Sequence, residues 1–189
     1  MDSSRSLALI DQLVEDYNQI QDKLLREEPS TTQSISRHLT KVLVLSCASY
    51  YEQELKRAYT TYAETHARIF NEQPHRFTVN DKDDSIYKWF YFGRIEDPSD
   101  QKDLPEPLNF LKPLSRFGIE FSAIVISEVL SDEAKQLSVR AFQEIFVMRN
   151  LIAHQTNLEF DSIRGKSFNE IKSLHTEAKK FVDYLSAKF

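Results

Sequence analysis

Glycine is nearly missing from this chain: Gly93, Gly118 and Gly165 are the only three in 189 residues. A β-sandwich needs many tight turns, and a P-loop or dinucleotide fold needs a Gly-rich phosphate cradle, so neither is expected. Cysteine is scarcer still. Cys47 stands alone, which excludes an intrachain disulfide and a Cys-rich zinc centre. Long apolar runs are also lacking. Val42 to Leu45, continued past Ser46 by Cys47 and Ala48, is far too short to span a bilayer. Met1 to Asp16 carries Asp11, Glu15 and Asp16 and holds no signal-type apolar block, so no membrane association is expected and the expected location is the cytoplasm. There is no excess of positive charge either. A formal charge of −5 argues against a broadly basic surface that grips nucleic acid non-specifically. It leaves room for a small cationic site, because net charge is silent about distribution.

What is present is helical periodicity. With 41% hydrophobic and 28% charged residues, the chain suits one domain, residues 1–189, with a core that needs no staples. The expected fold is all-α, an up-and-down bundle of four to five main helices. Leu7, Ile10, Leu13, Val14, Tyr17, Ile20 and Leu24 mark a first helix, which Pro29 ends. A second helix starts near Thr31 to Ser34 and extends toward Phe70. It is apolar nearly all round between Val42 and Tyr51, so it should run through the middle of the bundle. Residues 71–113 break the rhythm with five of the six prolines and the aromatic block Tyr87 to Phe92 around Trp89. They read as an irregular insert between the second and later helices. That block is expected to pack rather than to stack on bases. Helices resume over Ser115 to Leu130, over about Asp132 to Gln155 with Ser131 as N-cap, and over Ser167 to Leu185.

The fourth helix breaks its own rule. Leu137, Ala141, Ile145, Met148 and Ile152 form one apolar arc, and Val139, Phe142, Phe146 and Ala153 a second beside it. Arg149 projects between them, a costly place for a guanidinium unless it is paired or held at an interface. Gln143, Val147, Asn150 and His154 line another strip, about 140° from Arg149 at the histidine. Two readings stay open on these residues alone. Arg149 is a structural ion pair with Glu52 or Glu54, and His154 a favourable contact with the helix C-terminus; or the two form a phosphate site. His38, His66, His75 and His175 are spaced like no metal site and read as structural or solvated.

The hexapeptide Arg149-Asn150-Leu151-Ile152-Ala153-His154 resembles the R-polar-x-x-x-H signature of the HEPN superfamily, in the place that family puts it, on a late helix followed by one more. The stretch from Arg37 through Leu39, Leu43, Tyr51, Glu52 and Leu55 resembles the long helix of the RiboL-PSP and MAE-type branches. The resemblance implies a metal-independent endoribonuclease acting as a homodimer on RNA. The ribose 2′-hydroxyl attacks, and 2′,3′-cyclic phosphate and 5′-hydroxyl ends result. His154 would move protons, since an imidazole ordinarily titrates near pH ~6.5. Arg149 would grip phosphate oxygens, and Asn150 would orient the imidazole or bond a phosphate oxygen. From the residues themselves, Arg140, before the motif on the side of His154, would extend the phosphate strip, and Glu52 is the candidate structural partner of Arg149. No cofactor and no metal is expected. The role implied is that of a toxin or anti-phage effector, restrained by an antitoxin or another regulatory protein. The alternative is a HEPN module that binds RNA or a protein without cutting. Some relatives carry a modified tyrosine just after the histidine. Gln155-Thr156-Asn157 stands there instead, which speaks against that control.

Overall fold

The protein is described here by a computed structural model, which covers residues 3–24, 29–65, 119–154 and 165–189 together with Leu114 and Ile163. These residues form five helices and no strand: α1 (Ser3–Leu24), α2 (Pro29–Thr65), α3 (Ile119–Leu130), α4 (Glu133–His154) and α5 (Phe168–Lys188). The chain is an all-α bundle. The aromatic insert at 71–113, the reach of α2 beyond Thr65, and Gln155 lie outside the described residues. Among the described residues no helix is long and apolar enough to cross a membrane.

Three helix starts show how local chemistry sets the boundaries. Pro29, expected to end the first helix, is itself the first residue of α2, earlier than the Thr31 to Ser34 expected. The first turn of a helix has no use for the missing N–H, and the ring presets φ. Asp132 caps α4 in place of the expected Ser131. Its Oδ1 accepts from the N–H groups of Ala134 at 2.9 Å and Lys135 at 3.2 Å. Ser131 instead closes α3, donating to the Glu128 carbonyl oxygen at 3.2 Å. A carboxylate is the stronger acceptor and complements the positive end of the helix. At α5, Ser167 and Glu170 cap each other's backbone reciprocally. Gly165 leads into that cap at φ 70, where a Cβ would be unfavourable, in a turn closed by Lys166 N–H to the Ile163 carbonyl at 3.0 Å.

α2 is the scaffold, packed on α1, α4 and α5, while α4 also packs on α5 and α3. At about 1.5 Å per residue its 37 residues run about 55 Å. Leu43, Val44, Cys47, Ala48, Tyr51 and Leu55 are buried in the common core. α2 is not enclosed on every side, however. Val42 is 46% and Leu45 37% exposed, because the described helices cover only part of its circumference. On α4 the expected arcs are also redrawn. Ile145, Met148, Phe142 and Phe146 are fully buried, and Gln143 and Val147 from the strip assigned to His154 are largely buried as well, whereas Leu137 and Ala153 are exposed. The apolar residues around the middle of α4 are therefore packed within the subunit.

Candidate functional site

Arg149 is on α4 amid the buried Ile145, Phe142 and Phe146, yet its side chain is 31% exposed. The guanidinium leaves the apolar arc for the margin between α4 and α2. There its Nη2 faces Glu52 Oε1 at 3.4 Å, and its Nη1 donates to Asn150 Oδ1 at 3.2 Å. Glu52 is 35% exposed, and burial pushes its carboxyl above the ordinary range while Arg149 pulls it back. At 3.4 Å the ion pair is longer than a charge-assisted hydrogen bond of about 2.8 Å, so it is mainly Coulombic and partly wet. Glu54, the other conceivable partner, turns away and binds Arg57 at 2.8 Å. The two glutamates are two residues apart on one helix and so cannot face the same neighbour.

Glu52 is aimed by the residue before it. The Tyr51 hydroxyl, fully buried, lies 2.7 Å from His175 Nδ1 and 3.2 Å from the His175 carbonyl oxygen on α5. One hydroxyl proton serves both contacts only if it goes to the carbonyl and the ring donates from Nδ1, which leaves Nε2 as the acceptor. The rings of Tyr51 and His175 stack at 5.7 Å, and Tyr51 also meets Phe142 of α4 at 5.5 Å. α2 is thus pinned in rotation against α5 and α4. With Tyr51 turned inward, Glu52 comes out at the α4 margin. Burial lowers the His175 imidazole and raises the Tyr51 phenol and the Cys47 thiol, so all three are neutral at physiological pH. Nothing in the sequence ties Tyr51 to a histidine 124 positions later; the pairing exists only once α2 and α5 pack.

The motif's other members are placed as follows. Asn150 is half-buried beside Arg149. His154 is the last residue of α4, about 7.5 Å along the axis from Arg149, and its side chain is not among those described. Arg140 is exposed, nine residues before Arg149 and so about half a turn away around α4; the structure does not bring the two together. Glu52, Arg149 and Asn150 are brought together. Among the described residues no three His, Cys, Asp or Glu side chains form a group that could hold a metal ion. The lone described histidine of the core, His175, serves packing.

Fold and site together define an all-α module that presents an arginine and an amide near the C-terminal end of a helix, with a histidine closing that helix. The chain belongs to the RiboL-PSP-HEPN family, whose model matches residues 7–189. That family places it among helical modules tied to nuclease, RNA-related or nucleotide-binding roles. Comparison with curated proteins and with solved structures gives no match.

Proposed function

We propose that the protein is a metal-independent endoribonuclease, with Arg149 as the phosphate-gripping cation and His154 as the proton-transfer group. The observation that carries this is the Arg149 guanidinium, held at a partly exposed margin of α4 instead of being sealed in the core, in a chain of this family. Planar and always charged, it suits two oxygens of a phosphodiester at once. It stabilises charge that builds on them as the 2′-hydroxyl attacks. The His154 imidazole takes the proton from that hydroxyl and returns one to the departing 5′-oxygen. Cyclic 2′,3′-phosphate and 5′-hydroxyl ends follow. Asn150 steadies Arg149 through its Oδ1 and can share in holding the phosphate.

Arg149 and His154 lie about 140° apart on one helix, so one motif does not aim both groups at one phosphate without help. A homodimer supplies it, with the second copy's motif completing the cleft. Light scattering is expected to give twice the 22.1 kDa chain mass at micromolar concentration; a monomer that still cuts RNA refutes this arrangement. The chemistry is tested on single-stranded RNA in EDTA. Wild type cuts, while Arg149→Ala and His154→Ala lose at least about a hundredfold in rate. Equal cleavage by all three exposes a contaminant, and binding without cleavage by any leaves a non-catalytic RNA-binding module. A nuclease of this family fits a toxin or anti-phage effector whose restraint comes from a separate regulatory protein.

A further inference from the structure

The oxygen atoms around Arg149 suggest what restrains it. Each terminal nitrogen of the guanidinium already faces an oxygen: Nη1 the Asn150 amide at 3.2 Å, Nη2 the Glu52 carboxylate at 3.4 Å. A phosphate held by the same fork would place two of its own oxygens at those nitrogens. An amide oxygen is neutral and coexists with an incoming phosphate. A carboxylate does not, because two anions on one guanidinium repel each other.

We infer that Glu52 is a built-in competitor of the phosphate: it occupies half of the Arg149 fork in the free protein and is displaced when RNA binds. This rests on the reading of Arg149 as the phosphate site. Two further features fit competition better than a structural pillar. The contact is long and about one-third exposed on both sides, so releasing it costs little. Burial also works against the ionised Glu52 carboxyl despite the adjacent arginine, so desolvation offsets part of what the pair gains. The carboxylate therefore lowers affinity for any phosphodiester while keeping the guanidinium aimed outward.

The test uses the full chain and an RNA oligonucleotide with 2′-O-methyl riboses, which offers phosphates but no nucleophile. Binding is followed by fluorescence anisotropy at neutral pH, with thermal melts to check folding. Arg149→Ala is expected to weaken binding on the order of tenfold. Glu52→Gln is expected to tighten it about three- to tenfold, the range a partly exposed ion pair can contribute. Glu52→Ala, which lacks even the amide, gives the same direction. The double variant Glu52→Gln with Arg149→Ala binds like Arg149→Ala alone. If Arg149→Ala weakens binding but neither Glu52 variant tightens it, the competitor inference is wrong and the phosphate site stands. A gain that persists in the double variant also overturns it. If Arg149→Ala binds like wild type, the site reading itself fails.

Discussion

At the scale of single residues, the buried Tyr51–His175 contact controls acid sensitivity. Burial is the main cause that lowers the His175 imidazole below its ordinary 6.5, with Asp11 opposing and Lys179 assisting. The unfolded chain then binds the proton more readily than the folded one. The stability carried by neutral His175 is present above pH ~6.5 and is lost as pH falls through that value toward the folded one. Proton uptake falls on Nε2, the ring nitrogen that Tyr51 leaves as an acceptor, so the α2–α5 clasp must accommodate a buried cation. Melting temperature is expected to drop between about pH 7 and pH 5, and His175→Phe, which keeps the Tyr51 bond to the main-chain carbonyl, should flatten that limb. An unchanged slope in the variant assigns the acid limb to the carboxylates instead. The half-buried pair of Lys188 and Tyr184 on Glu128 at 2.6 and 2.9 Å gives such a contribution at lower pH, since both hydrogen bonds hold that carboxyl below its ordinary range. Its stabilisation is present at neutral pH and disappears on strong acidification.

At the scale of helices, end chemistry is a small but separable part of stability. Ser167→Ala removes one side of the α5 capping box and is expected to cost about 1 kcal/mol in urea unfolding, with no change in the slope of the transition. The same scale shows how far the amino-acid order was legible. Of the α5 stripe that periodicity indicates, Phe168, Ile171, Ala178, Phe181, Val182 and Leu185 are buried, and Leu174 is half-buried. Boundaries were less so. Pro29, read as the end of one helix, opens another, Ser131 and Asp132 compete for one cap, and only backbone geometry decides between such neighbours. Periodicity also counts Val42 and Leu45 as core, though whether a helix flank is covered depends on which partners arrive and at what angle. The anomaly of Arg149 was visible on a helical wheel. Its pairing with Glu52, the partner expected from the amino-acid order, is fixed by the rotation of α2 that Tyr51 and the distant His175 set, which the amino-acid order does not show.

At the scale of the whole molecule, a chain of net charge −5 has no diffuse attraction for nucleic acid, and binding must come from a few local contacts. The expected dependence of RNA affinity on salt is correspondingly shallow. For single strands log K falls by about 0.7 per neutralised phosphate per decade of salt, so Arg149→Ala should reduce the slope by about that amount for each motif engaged. A slope unaltered by the variant removes Arg149 from the phosphates. The long α2 scaffold adds a kinetic consequence. Because Tyr51 bolts that helix to α5, a Glu52 displaced by phosphate would give way not by rolling of the helix but by a rotamer change of its own half-buried side chain. Ligand capture would then not be gated by a slow opening. Stopped-flow association should be a single phase whose observed rate climbs in proportion to oligonucleotide concentration, with no plateau.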